Sequence, residues 1–468
     1  MANYKTTAEL RDAVAALQSE AAAKMAAVGR LCAKDRMTRL FDEGTFVEVG
    51  TYVGRKTTEL DEEADDALEP VVTGYGAIDG VLVFAFSQDY SRLSGALGER
   101  HAEKICKIYE MAEKASAPIV GVFDSAGAKI LEGVDALAGY GKIMAAVAAA
   151  DIPQIAVVSG PCVGAPAVIA QMMDFTVVAK KTGELRIAAS GALTDKTLGT
   201  AEKLAEDGVC AILAEDDPDA LEKVKALLPY FAFTKPFGDE PNRAVSVADI
   251  IAGDEYDMHA VINEVFDNGS FLELWKESAQ MIICGFAAMN SNVVGVMANN
   301  PAVKGGKLCP GSTDKAIKFV AVCEKLGLPI ITLVDSCGMP SGDKAEAKGF
   351  ASKLASFVRA YATCGCPKIS VVLGRAYGSL YTVFGSKALG TDVTLALDSA
   401  KIAAMAPDSA VAFLGEVTDE SKHAGFAEEW ARKAGSPLQA AKSGQIDDII
   451  ASEELRQRIG ASLEMLSL

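Results

Sequence analysis

One stretch near the start of the chain, Phe41-Asp42-Glu43-Gly44-Thr45-Phe46-Val47-Glu48-Val49, returns 225 residues later as Phe266-Asp267-Asn268-Gly269-Ser270-Phe271-Leu272-Glu273-Leu274. Three further matches follow in the same order, at offsets of 211, 211 and 214 residues; the pairs of residues that begin them are Gly74 and Gly285, Pro118 and Pro329, and Pro153 and Pro367. A gene duplication explains matches that keep their order. The sequence therefore predicts two copies of one fold, and with them two similar sites.

The composition limits the classes of protein to consider. Half of the 468 residues are hydrophobic and 42 are glycine, which is enough for buried cores and excludes a disordered chain. The net charge of −18 disfavours binding to nucleic acid or to anionic lipid surfaces. No apolar run reaches the roughly 18 residues of a membrane span, and the start of the chain lacks the apolar core of a signal peptide. We therefore expect a cytoplasmic protein.

Short apolar runs at residues 119–123 and 155–158 are typical of buried parallel strands, and each is followed by a glycine-containing turn and a helical pattern. This order predicts an α/β fold made of repeated strand-turn-helix units. Helices are expected at about 8–41, 98–114 and 453–466. The linker is expected at 231–243, between domains at 1–235 and 245–468.

Two local features are assigned to the surface or to turns. The acidic run 60–66 is interpreted as a loop inserted in the first copy, because the offset between the copies changes there. The sequence Gly74-Tyr75-Gly76 is interpreted as a turn between short strands, since no Rossmann pattern follows it.

Side-chain catalysis finds little support in the sequence. The chain has three histidines, His101, His259 and His423, and neither a G-x-S-x-G elbow nor a phosphate-binding G-x-x-x-x-G-K-[ST] loop. Its ten cysteines form no C-x-x-C pair, so they are interpreted as structural thiols and no metal site is expected.

The glycine turns offer backbone chemistry instead. Each copy has two of them; they are Ser125-Ala126-Gly127, Val163-Gly164-Ala165, Ser336-Cys337-Gly338 and Gly378-Ser379-Leu380. Small residues at a helix start leave N–H groups free to bind a negative charge. Two such donors that converge form an oxyanion hole, where each contributes about 2.7–4 kcal/mol in a well-studied case.

At this point the chain resembles a known family, the carboxyltransferase subunits of biotin-dependent acyl-CoA carboxylases and decarboxylases, such as propionyl-CoA carboxylase beta and methylmalonyl-CoA decarboxylase alpha. The resemblance extends from Gly29 to Ile450. The motifs that carry it are Gly44-Thr45-Phe46-Val47-Glu48, Val72-Thr73-Gly74-Tyr75-Gly76, Leu97 to Ile105, Glu132 to Gly141, Gly160-Pro161-Cys162, Ala298-Asn299-Asn300-Pro301, Asp314-Lys315-Ala316, Ala376-Tyr377-Gly378 and Gly444 to Ile450. The resemblance implies two tandem crotonase-like domains.

The resemblance also implies the reaction. Carboxyl transfer would run between carboxybiotin and a short-chain acyl-CoA of the propionyl or methylmalonyl type, and the protein would stabilise two enolate-like oxyanions. Gly164 and Ala165 would bind the thioester carbonyl, and Ser379 and Leu380 the ureido carbonyl of biotin. The other residues expected to contact CoA or biotin are Arg36, Arg100, Ala126, Gly127, Cys337, Gly338, Tyr377 and Gly378. Further candidates for the CoA phosphates are Arg39, Arg92 and Lys129.

Several positions depart from the pattern of the family. Ala165 and Ser379 stand where glycine is usual, Leu380 stands where alanine is usual, and Thr382 replaces an aspartate that influences the choice of acyl chain. Backbone donors survive such changes, but Leu380 is expected to narrow the biotin side of the site.

The partners expected from the resemblance are a separate biotin carboxyl carrier protein, because Met-Lys-Met is absent, and a biotin carboxylase or a membrane decarboxylase subunit. A homo-oligomer, from dimer to hexamer, is also expected. The alternatives are the alpha subunit of a sodium-pumping decarboxylase, a noncatalytic CoA-binding paralogue and a crotonase-type hydratase. A hydratase would need paired carboxylates, and only Glu132 follows the first turn.

Overall fold

The computed structural model describes residues 6–59, 68–231, 237–241, 243–340, 342–414 and 422–467, with the backbone alone at residue 190. Its contacts separate two compact units, Met1–Ala232 and Phe233–Leu468. They are called unit 1 and unit 2 below.

Unit 1 alternates strands and helices. Its helices are α1 Thr7–Ala26, α2 Ala33–Leu40, α3 Glu99–Ala115, α4 Val134–Ala149, α5 Ala165–Met172, α6 Ala201–Glu206 and α7 Asp217–Leu227. Its strands are β1 Val47–Glu48, β2 Val71–Ile78, β3 Val81–Gln88, β4 Ile119–Ser125, β5 Gln154–Val163, β6 Phe175–Ala179, β7 Glu184–Arg186 and β8 Ile212–Ala214.

Unit 2 repeats the order of the strands with its own helices. These are α8 Met258–Val265, α9 Pro310–Leu326, α10 Asp343–Glu346, α11 Phe350–Thr363, α12 Ser379–Val383, α13 Pro407–Leu414, α14 His423–Ala434, α15 Pro437–Lys442 and α16 Leu455–Leu466. The strands are β9 Leu272–Leu274, β10 Ile282–Met289, β11 Asn292–Asn299, β12 Ile330–Ser336, β13 Lys368–Tyr377, β14 Val393–Leu397, β15 Lys401–Ala403 and β16 Asp448–Ile450.

The two sheets have the same topology within the described residues. In unit 1 the order is β1-β2-β3-β4-β5-β6-β8, with β7 added to β5; in unit 2 it is β9-β10-β11-β12-β13-β14-β16, with β15 added to β13. The first two pairings in each unit are antiparallel and the rest are parallel. The predicted α/β class with two copies of one fold is confirmed.

A bulge in each sheet positions the turns of interest. The pairing of β4 with β5 jumps from Phe123 opposite Val158 to Ser125 opposite Cys162. In unit 2 the same jump separates the pairing of Val334 from that of Ser336. The last residues of β5 pair with β7 instead of β6, and those of β13 pair with β15 instead of β14.

Each unit has its own hydrophobic core. Strands and helices both contribute to the two cores, and every residue of β4 and of β12 is buried. This full burial explains why those segments are continuous apolar runs in the sequence rather than alternating ones.

Two predictions about local structure are wrong. The helix expected at 8–41 is two helices, α1 and α2, and the chain between them passes through Gly29 at φ +70°. Gly74 and Gly76 lie inside β2 and form no turn. A side chain at Gly74 would stand 2.3 Å from the carbonyl oxygen of Val47 on β1, so the glycine permits the close approach of two strands. The acidic run 60–66 lies outside the described residues.

Candidate active site

The second glycine turn of each unit joins a strand directly to a helix. Gly164 lies between β5 and α5 at φ +76° and ψ −132°, and Gly378 lies between β13 and α12 at φ +64° and ψ −147°. Residues other than glycine rarely adopt this backbone conformation. The same backbone turn has therefore been kept in both copies.

The turn glycines use their own N–H groups to hold the turn. Gly164 donates to the carbonyl oxygen of Arg186 at 2.9 Å, and Gly378 donates to that of Ala403 at 2.9 Å. Gly164, predicted as a catalytic donor, thus has an internal acceptor. The next N–H group along the chain, that of Ala165 in unit 1, has no acceptor inside the helix, because the first turn of a helix leaves its donors unpaired.

The two predicted donor pairs are not equivalent positions. Gly164 corresponds to Gly378, so Ala165 corresponds to Ser379 and Pro166 to Leu380. Pro166 has no N–H and Ala167 donates to the carbonyl oxygen of Gly164 at 3.1 Å, so Ala165 is the donor left for a ligand in the first turn of α5. In unit 2 both Ser379 and Leu380 keep an N–H in the first turn of α12.

The N–H groups of the first glycine turn of each unit already have acceptors. The N–H of Gly127 donates to the hydroxyl of Ser125 at 3.1 Å, and Gly338 donates to Ser336 at 3.1 Å. Ala126 donates to Ser94 O at 2.9 Å. The equivalent Cys337 donates to Gly305 O at 3.0 Å.

These four N–H groups, on residues predicted to contact CoA or biotin, are therefore already bonded. Those of Gly127 and Gly338 are bonded within the turn, and those of Ala126 and Cys337 are bonded to carbonyl oxygens of other segments. They offer no free donor to a ligand. The two turns of each unit are adjacent: a Cβ at Gly127 would lie 3.7 Å from Val163 O, and one at Gly338 would lie 3.8 Å from Tyr377 O.

Arg36 is part of the interior of unit 1. Its guanidinium is 1% exposed and donates to Asp124 at 2.8 Å and to Asp217 at 2.9 Å and 3.1 Å. Arg30 adds a second cation to Asp124 at 2.5 Å. All three nitrogens of Arg36 are bonded to carboxylates, so Arg36 is excluded from the residues proposed to bind CoA phosphates. The sequence could not show this, because Asp217 lies 181 residues away.

The other candidate cations differ in accessibility. Arg100 is exposed and donates to the carbonyl oxygens of Gly54 and Arg55 at 3.0 and 3.3 Å, which leaves its head at the surface. Lys129 is buried and pairs with the buried Glu132 at 2.9 Å. Arg39 is exposed, and Arg92 is half-buried beside Asp89.

Glu132 has a structural contact as well. Its second carboxylate oxygen accepts a 2.7 Å hydrogen bond from the N–H of Glu99, at the first residue of α3. A buried carboxylate that caps a helix and pairs with a lysine does not have the free position that a hydratase needs for its acid or base.

The residues of α12 that depart from the pattern of the family differ in exposure. Leu380 is fully buried, so its side chain packs into the core, and the expected narrowing of the biotin side is not seen. Ser379 is exposed, and its hydroxyl lies 3.5 Å from the sulfur of Met339. Thr382 is exposed too, and its carbonyl oxygen accepts from Ser386. Tyr377, predicted to contact the cofactor, is 9% exposed, and burial raises its pKa.

Two buried lysines, one in each unit, were not among the site residues predicted from the sequence. Lys104 on α3 donates to Val71 O at 2.6 Å, and Lys315 on α9 donates to Ile282 O at 3.0 Å. Burial lowers the pKa of Lys104 to about 8 and lowers that of Lys315. Both donor and acceptor recur at an offset of 211, a signal that the sequence contained.

Cys162 and His101 lack the environment of a nucleophile or base. Burial raises the pKa of the Cys162 thiol well above its usual range, and burial lowers the pKa of His101 to about 3. In the part of the chain that the structure describes, no group of three His, Cys, Asp or Glu residues could hold a metal ion. The chemistry that the site offers is thus the binding of oxyanions by backbone donors.

Comparison with known proteins agrees with this geometry. Residues 24–467 match the carboxyl transferase domain family. The chain belongs to that family. With it, the predicted crotonase-like fold and the predicted class of enzyme, an acyl-CoA carboxyltransferase, are confirmed.

Individual relatives are similar over almost their whole length. The chain is 35% identical to the alpha subunit of methylmalonyl-CoA decarboxylase of Propionigenium modestum, covering 95% of this chain and 91% of the relative. It is 33% identical to the propionyl-CoA carboxylase beta chain of Roseobacter denitrificans, covering 94% and 91%. A crystal structure of the transcarboxylase 12S hexamer with methylmalonyl-CoA bound has a TM-score of 0.92 at 31% identity, covering 99% of this chain and 97% of that one.

Proposed function

We propose that this carboxyltransferase moves a carboxyl group between carboxybiotin and a short-chain acyl-CoA of the propionyl or methylmalonyl type. The observation that carries the proposal is the duplicated strand-glycine-helix turn, which presents the N–H of Ala165 in unit 1 and those of Ser379 and Leu380 in unit 2. The relatives named above act on these acyl groups, and their similarity supports the choice of substrate.

Each turn stabilises one oxyanion. The N–H of Ala165 binds the thioester oxygen as it gains charge, and the dipole of α5 adds to this because its positive end faces the oxygen. Ser379 and Leu380 bind the ureido oxygen of biotin in the same way. Their two N–H donors at a helix start fit a carbonyl that becomes anionic. Biotin supplies the carboxyl group and the base when it is bound.

The glycines hold these donors in place. Because Gly164 and Gly378 bond to Arg186 and Ala403, the first free N–H of each helix is fixed before substrate binds. Donors that are fixed in advance cost no reorganisation during the reaction. The exposed Arg100 is proposed to contact a CoA phosphate.

The assembly is proposed on separate grounds. The apolar side chains of Ile130, just before α4, and of Val134 and Leu137, at its start, are 86%, 74% and 61% exposed. Neighbouring apolar residues exposed to this degree mark interaction surfaces. We propose a homo-oligomer between dimer and hexamer, in the cytoplasm. Among the described residues, no helix has the length and hydropathy to cross a membrane.

Biotin is proposed to arrive on a separate carrier protein, since the sequence Met-Lys-Met is absent. A biotin carboxylase or a membrane decarboxylase subunit is the proposed source or acceptor of the carboxyl group. The two crotonase-like domains are proposed at 1–235 and 245–468.

The test is decarboxylation in the presence of free biotin. The purified chain is mixed with malonyl-, methylmalonyl- or glutaconyl-CoA, and release of CO2 is followed with biotin and without it. We expect release that depends on biotin, fastest with methylmalonyl-CoA. CoA binding without any turnover would support the noncatalytic paralogue, and turnover without biotin would contradict the mechanism.

A further inference from the structure

Arg186 lies on β7, beside the candidate oxyanion turn of unit 1. We propose that its guanidinium binds a carboxylate on the acyl group of the CoA thioester. This inference rests on the proposed function, because it adds a contact to the same substrate.

The position of Arg186 follows from the pairing of β7 with β5. Arg186 is paired with Val163, and its carbonyl oxygen accepts the N–H of Gly164. Leu185 is buried in the core, so the flanking Glu184 and Arg186 lie on the opposite face of β7. One residue thus contacts the turn through its backbone and extends a cation from the same strand.

The guanidinium is mostly buried and incompletely bonded. Its side chain is 15% exposed and pairs with Glu184 at 2.5 Å through Nη1. Nε has no exposed surface and no hydrogen-bond acceptor among the residues that the structure describes. Buried donors without acceptors are rare and costly, and they point to a ligand or a water. The planar fork of arginine matches a carboxylate, which accepts two parallel hydrogen bonds.

Unit 2 shows that the fold itself does not need the arginine. The equivalent residue is Ala403, and its carbonyl oxygen accepts the N–H of Gly378 at the same 2.9 Å. The backbone turn therefore forms equally well beside alanine.

Gly199 leaves space for the side chain of Arg186 in unit 1. A Cβ at Gly199 would lie 3.1 Å from Cβ of Arg186 and 3.5 Å from its Cδ. Glu184 is 43% exposed, and an ion pair with such a residue contributes little to stability. The cation is thus a feature of the unit 1 site rather than a requirement of the fold.

A carboxylate near this turn has two possible sources. One is the carboxyl group that the enzyme transfers, which a methylmalonyl group has on its α-carbon. The other is a carboxylate at the far end of a longer acyl chain, as in a glutaryl group. Both present the same ligand chemistry to Arg186.

The test is isothermal titration of the full chain with methylmalonyl-CoA, glutaryl-CoA and propionyl-CoA, of which the last has no carboxylate on its acyl group. Wild type is compared with Arg186→Gln and Arg186→Lys. Arg458→Gln is the matched control, since it removes an arginine paired with Asp448 on a different strand. We expect Arg186→Gln to weaken the binding of a carboxylated thioester by about tenfold to a hundredfold. Arg186→Lys should recover part of this loss. Both Arg186 variants should bind propionyl-CoA with the affinity of wild type.

A loss confined to methylmalonyl-CoA would support the transferred carboxylate as the ligand, and a loss confined to glutaryl-CoA would support a distal one. Equal weakening of all three thioesters, or no weakening of any, would overturn the role of Arg186 and leave the proposed function intact. If wild type binds none of the three, the proposed function fails, and this inference fails with it.

Discussion

The N–H of Gly378 donates to the carbonyl oxygen of Ala403 at 2.9 Å, so the glycine that shapes the turn of unit 2 does not offer its own donor to a ligand. Gly164 has the same relationship to Arg186 in unit 1. The duplication has therefore preserved a way of fixing the helix start. The donors proposed to act on substrate are the next ones along the chain.

Substitution of Arg36 should change stability, and substitution of Arg100 should change substrate binding, because Arg36 is buried and Arg100 is exposed. Arg36→Leu leaves the buried Asp124 and Asp217 without this partner, and removing one member of a buried pair typically costs about 3–5 kcal/mol. Chemical denaturation should show that loss in unit 1. Arg100→Gln is the control; it should raise KM for the acyl-CoA severalfold without a loss of stability. Unchanged stability with a raised KM in Arg36→Leu would contradict this account.

Because Lys104 is buried, we expect the free energy of unfolding to increase as the pH is raised into the alkaline range. Burial lowers its pKa to about 8 from 10.5, so between these values the unfolded chain binds more protons than the folded one. Below pH 8 the cost of burying the charge is present in full, and above pH 10.5 it is absent. The free energy of unfolding of wild type, relative to Lys104→Met, should rise by about 3 kcal/mol across this window. Urea denaturation at several pH values measures the difference, and a flat or falling difference would refute it.

His259 should titrate at a higher pH than an ordinary histidine. Its Nε2 lies 2.9 Å from Glu273 and its Nδ1 lies 2.6 Å from Asp257, and the hydrogen bond to Glu273 is the main cause of its raised pKa. The stability that this cluster adds is present in full below the unfolded pKa near 6.5 and is lost as the pH rises through the folded pKa.

NMR of the imidazole signals measures this directly, because the chain has three histidines. The midpoint of His259 should lie above 6.5 in wild type and fall in Glu273→Gln. Unit 1 has Lys34 and Glu48 at the equivalent positions, 2.7 Å apart, so it has no histidine there. A midpoint of His259 at or below 6.5 would contradict the geometry.

The sequence predicted what is local or repeated. Residues 119–123 and 155–158 lie within strands, and Gly164 and Gly378 stand where a strand meets a helix. These features follow from apolar runs, small residues and the repeat, all of which can be read along the chain.

Contacts between distant segments could not be predicted. The addition of β7 to β5 brings Arg186 to Gly164, and this parallel pairing leaves no periodic signal in three residues. Arg36 and Asp217 meet across 181 residues, so a surface role for Arg36 was the natural expectation for an arginine on a helix. The role of Gly74 could not be predicted for a similar reason, because Val47, on the strand that approaches it, is 27 residues away.

The most direct test of the central claim removes one backbone donor. Ala165→Pro deletes the N–H of the first residue of α5, where proline suits the helix start. Ala165→Ser keeps the N–H and is the matched control. The account predicts that kcat for biotin-dependent release of CO2 from methylmalonyl-CoA falls by about 10²–10³ in Ala165→Pro and stays near wild type in Ala165→Ser, with both variants folded. A folded Ala165→Pro with the kcat of wild type would show that this N–H does not stabilise the oxyanion.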